Sequence, residues 1–290
     1  MWIRIKFRLT YHNIYNIKDK ESNMKLKRIL IVCIAIMTFT ILLTDCVKKK
    51  DGWGKDGPPK TFRLEYFAGK RVGITEGTIQ AVFQEIFLPD VIPVFFHDSE
   101  DGIVAMKNGT IDAYYDDEAS FRLYVSLNPG LKILQPFVTS DNYAVMVAQG
   151  NDDLRNKLNE FIMIIKGNGV YDEMVNRWLD EAHTLTVPII PKGHGEVIHF
   201  GTSGIINGFS FYVGDQLVGF DIEFAQRFAL YLDRELDIIV MDFRDLIAAT
   251  EYGHIDFAAS LFTITEERKT HVDFSMPYYT GGSVIAVFEP

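Results

Sequence analysis

Two rhythms of apolar and polar positions alternate along this chain from Gly69 onward. Short apolar runs bounded by Gly, Asn or Asp read as strands, and longer stretches with apolar residues three and four apart read as helices. Residues 70–75 alternate into a strand, Glu76, Gly77 and Thr78 make a turn, and Ile79–Phe87 has helical spacing. Residues 102–107 are expected to be helical, a second strand starts across 109–113, and 143–148 forms an apolar strand. An amphipathic helix covers 152–166, Gly167 and Gly169 interrupt it, and 171–181 resume the period. Further on, 197–201 read as a strand and a helix runs through Leu232. Residues 254–259 are short, apolar and closed by Gly253, as a buried strand is. Ser283–Phe288 is the last strand. Strands alternating with helices predict an α/β protein whose sheets are mostly parallel and flanked by helices.

One pattern occurs twice. Ala105 to Asp112 and Ala249 to Asp256 each hold a helix end, a glycine stop (Gly109, Gly253) and an Ile-Asp pair leading into a strand. The repetition predicts two α/β lobes built alike and facing each other across a cleft. Residues 183–196, with Pro188 and Pro191, read as the linker between the two blocks.

The segment ahead of these lobes has another character. From Met24 it shows a basic start (Lys25, Lys27, Arg28), an apolar run over 29–43, and Leu43 three residues before Cys46. The run is shorter than the ~20 residues a bilayer span needs, so 24–46 reads as a secretory signal. An uncleaved N-terminal anchor is the rival reading. Residues 47–67, rich in Lys, Gly and Pro, are expected to be a tether. Cys33 and Cys46 are the two cysteines of the sequence, and losing Cys33 with the signal would leave no intrachain disulfide. The 290 residues carry a net charge of −10, and the part after the signal about −15, which argues against nucleic acid or an anionic lipid surface as the partner. His183, His194 and His199 lack ligand spacing, so no metal is expected. No phosphate-binding glycine loop or Gly-x-Ser-x-Gly elbow occurs, and no cofactor is expected.

The chemistry concentrates in three places. After the strand closed by Gly253 come Ser260 and Thr263, then Thr265, Glu266 and Glu267 open a helix that places Arg268 one turn in. A strand end followed by hydroxyls and a helix start is where α/β sheets seat ligands, and an arginine fork there can take a carboxylate bidentately. The Gly77-Thr78 turn before a helix offers backbone N–H groups to an anion. Asp116, Asp117 and Glu118 close a strand. They read as a solvated acidic loop, as ligand carboxylates or, least readily, as a metal site, since consecutive residues point different ways.

At these residues the chain resembles a family. Ser260, Thr263, Thr265, Glu267, Arg268, Asp273, Ser275, Pro277, Tyr278 and Tyr279 resemble the first-lobe signature of the bacterial extracellular solute-binding proteins of family 3, the receptors of amino-acid ABC importers. Gly201, Thr202, Phe209, Phe211 and the run from Leu217 to Glu223 resemble the start of that lobe. Arg71 to Ile74 and Glu76 to Thr78 resemble the opening of the second.

The resemblance implies a two-lobed, periplasmic-binding-protein-like (type II) fold with its lobes in circularly permuted order. The second lobe would take 68–141, the return strand and closing helices of the first lobe 142–182, and the rest of the first lobe with a hinge strand 197–290. A piece of a tandem-repeat protein is the competing explanation of that order. Under permutation Ser283–Phe288 is expected beside 143–148, with one covalent crossing between the lobes near Tyr143.

For the site, the resemblance implies that Arg268, Thr263 and the Gly77-Thr78 turn hold a ligand carboxylate and that Asp117 holds an ammonium. Ser260 and Gln80 join the ligand-binding set, and Phe243 and Phe209 cover the apolar part. Ile206 and Leu261 depart from the family pattern near the ligand. Leu43 and Cys46 resemble a lipoprotein box, with Asp45 a departure, which implies lipidation at Cys46. The implied protein is exported, membrane-anchored through lipid, monomeric and non-enzymatic, with an amino-acid-like ligand and an ABC permease as partners. The alternatives are an enzyme resembling cyclohexadienyl dehydratase, with Asp116 or Glu118 as general acid, and a sensor-type ligand-binding domain.

Overall fold

The structure, a computed structural model, describes residues 63–134, 137–179 and 186–288, all within the unit Pro58–Pro290. The expected signal with Cys46, His183 and most of the expected tether lie outside those residues. The end of that tether is folded, however. Leu64–Phe67 make a 3-10 turn, and Phe67 is buried against Ile285 and Val287, so the packed body starts before residue 68. Among the described residues no helix is long and apolar enough to cross a membrane.

The first half builds β1 (Arg71–Thr75), α1 (Ile79–Phe87), β2 (Ile92–Phe96), α2 (Ser99–Lys107), β3 (Ala113–Asp117), α3 (Glu118–Leu127) and β4 (Leu131–Leu134). There follow β5 (Asp141–Tyr143), β6 (Met146–Ala148), α4 (Asp152–Gly167) and α5 (Val170–Trp178). The second half contains β7 (Gly195–Thr202), the hairpin β8 (Phe211–Val213) and β9 (Gln216–Val218), α6 (Phe220–Tyr231), β10 (Arg234–Val240) and α7 (Leu246–Glu251). It ends with β11 (Phe257–Ala258), β12 (Val272–Phe274), β13 (Tyr279–Gly281) and β14 (Ser283–Phe288).

These strands form two five-stranded sheets, in the orders β2-β1-β3-β14-β4 and β10-β7-β11-β6-β12. Each sheet has four strands running one way, and the reversed one stands fourth in the order: β14 in the first, β6 in the second. The two lobes are therefore alike, as the repeated pattern predicts, and each takes its reversed strand from the other half of the chain.

The repeat has a hydrogen-bond basis. At the end of α2, the N–H groups of Thr110 and Ile111 donate to Ala105 O, and Asp112 N donates to Arg71 O. At the end of α7, those of His254 and Ile255 donate to Ala249 O, and Asp256 N donates to His199 O. The aspartate side chains then accept from the N–H of the neighbouring strand, Arg71 at 2.8 Å and His199 at 2.7 Å. Gly109 and Gly253 sit at φ of +69° and +71°, the left-handed conformation that lets the helix stop and the strand begin.

Two expectations are corrected. Ser283–Phe288 does not lie beside 143–148; it fills the gap between β3 and β4, with Ser283 opposite Asp117 and Phe288 opposite Leu131. Residues 143–148 are not one strand, because β5 pairs with β13 in a two-stranded ribbon while β6 enters the second sheet. Both passages between the lobes are thus covalent, and the ribbon is where they run side by side.

Packing follows the apolar faces. Along α4, Leu154, Leu158, Phe161, Ile162 and Ile165 turn inward, and Phe161 meets the Phe224 and Phe228 rings of α6 at 5.2 and 5.4 Å. In the other lobe Tyr114 is fully buried on β3, its ring set between Phe96 and Phe121 and its hydroxyl 2.9 Å from Thr75 Oγ1. This ring lies so close to α2 and β1 that a Cβ at Gly102 or Gly73 would overlap it.

A Gly102→Ala variant is accordingly expected to lose about 1–3 kcal/mol of stability by overpacking. Gly167→Ala, where a Cβ meets no atom within 4 Å, is expected to be neutral or to gain up to about 1 kcal/mol. Urea denaturation of both variants checks the pair. Equal stabilities would mean that α2 does not rest on the Tyr114 ring.

Candidate functional site

The C-terminal ends of β1 and β3 and the N-termini of the helices that follow open onto one cleft, as parallel α/β topology dictates. From this lobe the cleft is lined by Thr75, Thr78, Ile79, Gln80, Ser99, Asp116, Asp117 and Ser120, and from the other by Ile206, Phe243, Ser260, Leu261, Thr263 and Arg268. It holds about 380 Å³ of free space, counting its open mouth.

Arg268 is the cation of the cleft wall. Thr265 Oγ1 accepts from Arg268 N at 3.1 Å, as the capping pattern predicts, but the segment is a single 3-10 turn, Arg268–Thr270, rather than a longer helix. The guanidinium donates from Nη1 to Thr263 O at 2.9 Å and lies 5.3 Å above the Phe262 ring, which stacks on Phe243 at 4.6 Å. Among the described residues the fork makes no other hydrogen bond, so its remaining N–H groups are available to the cleft. Burial lowers its pKa to about 10, which leaves it charged at neutral pH.

Opposite stand two carboxyls. Asp117 Oδ1 accepts from Gln80 Nε2 at 2.7 Å and from the Tyr143 hydroxyl, and Gln80 Nε2 also reaches Ser283 Oγ at 3.0 Å. Asp116 accepts from Ser99 Oγ and, at 2.7 Å, from Asp117 N. Strand alternation should separate these neighbours. Instead β3 ends at Asp117, which is already the residue before α3, and both side chains line the cleft. Burial pushes the Asp116 carboxyl up to about 6, and burial together with the charge of Asp116 raises that of Asp117 well above the usual range. Asp117 and Arg268 attract each other without forming an ion pair.

The other expected site residues divide. Thr78, Gln80, Phe243, Ser260 and Thr263 line the cleft with Arg268 and Asp117. Ser260 Oγ is tied to Ser203 Oγ at 2.7 Å, and Thr78 Oγ1 donates back to Thr75 O at 2.7 Å. Gly77 stands behind the lining at φ +75°, where a Cβ would come 2.6 Å from Arg244 Cγ. Arg244 reaches from the facing lobe to Glu76 at 3.2 Å and is held by Asp242 at 2.8 Å.

Phe209 is not over the ligand space. It is fully buried in the core of the second-half lobe, where its ring packs against Phe220 and Tyr279. Nor does Glu118 face the cleft; it starts α3 and pairs with Arg122 at 2.6 Å.

Sequence reasoning missed Thr75, Ile79, Ser99, Ser120 and Tyr143. Their common signal is position, at the end of β1, the starts of α1, α2 and α3, and the crossing strand β5. Leu261 and Ile206, flagged as departures, both line the cleft, and Leu261 takes a left-handed φ of 55° that a branched side chain rarely adopts. Among the described residues no group of three His, Cys, Asp or Glu side chains could hold a metal.

Residues 198–289 match the bacterial extracellular solute-binding proteins, family 3. The arginine-binding extracellular protein ArtP of Bacillus subtilis (strain 168) is 41% identical over 85 residues, 29% of this chain and 33% of that protein. A crystal structure of the arginine-bound form of domain 1 from TmArgBP is 35% identical and similar over 32% of this chain and 80% of that one, with a TM-score of 0.29. An ancestral cyclohexadienyl dehydratase is 31% identical over 29% of this chain and 35% of that one, with a TM-score of 0.28. The chain spans between a third and about half the length of the curated relatives it matches.

The raised Asp116 pKa sets a pH dependence. A carboxyl raised from 3.8 to about 6 contributes stability below its unfolded value and loses it as pH climbs through the folded one. Asp116→Asn removes that loss. Its stability relative to the parent is expected to improve between pH 5 and pH 8, by on the order of 1 kcal/mol. Thermal melts at both pH values check this, and a constant difference would mean that Asp116 is solvated.

Proposed function

The chain belongs to the bacterial extracellular solute-binding proteins, family 3, and from that premise we propose that it captures a small zwitterion of the amino-acid class between its two lobes. One observation carries the reading. Arg268 on one lobe and Asp117 on the other face the same cleft without pairing, the arrangement that a ligand with one carboxylate and one ammonium completes. Closure removes water, and a charge left unpaired in a dry site is expensive, so each ligand charge needs its partner. Thr263, Ser260, Thr78 and Gln80 add hydrogen bonds, the N-terminus of α1 behind Gly77 favours the carboxylate, and Phe243 covers the apolar part. The names of relatives that bind arginine, cystine and histidine support the amino-acid class.

The finer reading is that the protein is exported, anchored by lipid at Cys46, monomeric and non-enzymatic, and that it delivers its solute to an ABC permease. We assign 68–141 to the receptor's second lobe, and 142–182 with 197–290 to its first, in circularly permuted order. A second reading, an enzyme like cyclohexadienyl dehydratase, is favoured by one fact. The second carboxyl such chemistry asks for lines the cleft, as Asp116. Formation of an aromatic product from a cyclohexadienyl acid, followed by ultraviolet absorbance, would support it.

The receptor reading is tested by titration calorimetry with the common L-amino acids. Arg268→Ala is expected to abolish binding while the circular dichroism spectrum is unchanged, since a buried carboxylate loses its charge-assisted partner at about 2–5 kcal/mol. Undiminished affinity would remove Arg268 from the site.

A further inference from the structure

The charges of the cleft wall do not balance for a simple zwitterion. Arg268 supplies one positive charge, Asp116 and Asp117 supply two negative ones when both are ionised, and no Lys, His or second Arg is among the lining residues. An amino acid whose carboxylate meets Arg268 and whose ammonium meets Asp117 leaves Asp116 facing a desolvated space with no cation. Ser99 Oγ and Asp117 N satisfy part of its hydrogen-bonding capacity but carry no charge.

A second observation points the same way. Gln80 is 1% exposed, lines the same cleft, and spends its Nε2 on Asp117 and Ser283, while its Oε1 has no partner among the described residues. A buried acceptor of this kind is satisfied by a ligand N–H.

Resting on the receptor reading above, we propose that Asp116 is the specificity residue of the cleft, selecting amino acids with a second cationic group and admitting neutral ones only together with a proton. With a dicationic amino acid the site sums to neutrality: two carboxylates and the ligand carboxylate against Arg268, the ammonium and the side-chain cation. With a neutral side chain the same neutrality requires one proton on the Asp116 and Asp117 pair. Isolated charge in low dielectric is avoided by either route.

The ionisable groups around Asp116 permit this. Asp117 adjoins it on β3. Tyr114 of β3, Tyr124 of α3 and Tyr143 of β5 stay neutral because burial pushes each phenol up. Arg268 faces it from the other lobe and stays charged. Asp141 of β5, whose carboxyl burial also raises, acts on Asp117 from behind, is bonded to Thr139 and Ser283 and does not line the cleft. Within the cleft the carboxyl pair is therefore what titrates. Burial already brings Asp116 to about 6, within reach of a proton at mildly acid pH. The sign follows: affinity for a dicationic ligand rises as pH climbs through about 6, since the carboxyl must be ionised, and affinity for a neutral ligand falls.

Titration of the purified chain with arginine and with citrulline, its neutral near-isostere, tests this at pH 5.5 and pH 8 in two buffers of different ionisation enthalpy. The expected result is at least a tenfold preference for arginine at pH 8 that shrinks at pH 5.5, with net proton uptake when citrulline binds. Asp116→Asn is expected to cut arginine affinity at least tenfold and to make citrulline binding independent of pH. The parent's proton uptake stands as a measurement of its own if that variant does not fold. Equal affinities for the two ligands at both pH values, or an unchanged preference in Asp116→Asn, overturn the role of Asp116 and leave the receptor standing. Absence of binding by these and by every other common amino acid overturns the receptor reading and this one with it.

Discussion

The first sheet cannot be completed until the last strand of the chain arrives. β3 and β4 are separated by α3 and do not pair with each other; what joins them is β14, with Ser283 to Ala286 paired to one side and Ile285 to Phe288 to the other. Without it both neighbours would present unpaired backbone groups to a core, which a folded protein does not tolerate. The second sheet has the mirror requirement, since β6 fills the slot between β11 and β12. Each lobe is finished by a strand made in the other half, so neither half of the chain is a closed folding unit. Pairings of such separation in sequence make the order of folding slow and long-range.

The same exchange explains why the cleft is well placed. A reversed strand next to β3 puts the start of β14 beside the end of β3, and Ser283 thereby meets Gln80 and the Asp117 backbone. Asp117 is surrounded by groups from residues more than a hundred positions apart, and burial there is enough to raise its pKa. Such a carboxyl is held by its neighbours in a state that favours either a cationic partner or a proton. The facing arginine is buried as well, yet among the described residues its fork is used at one position, by Thr263 O.

Much of this could be read in the sequence, for identifiable reasons. Helices such as Ile79–Phe87 and the strand Ser283–Phe288 have their observed bounds because period and punctuation agree there. The repeated glycine and Ile-Asp pattern announced two like lobes because a backbone requirement, the stop of a helix beside a strand, was written in residue types. Arg268, Thr263 and Asp117 were legible from motif. What was not legible depends on tertiary placement. Nothing local distinguishes a 283–288 strand beside β5 from one between β3 and β4, since both bury the same apolar run. Phe209 was misplaced because an aromatic near a glycine turn can face a cleft or a core, and only the packing against Phe220 and Tyr279 decides. Asp116 was read through strand alternation, which fails at the last residues of a strand that turns into a helix.

Tyr143 ties these features together. It lies on β5, in the ribbon where the two crossings run side by side, opposite Tyr279. Its backbone bridges to Thr263, whose carbonyl holds Arg268, and its hydroxyl donates to Asp117. One residue at the crossing therefore positions the cation on one wall and the carboxylate on the other. Any change in the angle between the lobes acts on both charges through it. Arg268 and Asp117, one in a 3-10 turn and the other at the end of β3, are thereby linked through the crossing ribbon. The three-residue strands of that ribbon thus connect the lobes at the residue that touches both walls of the cleft.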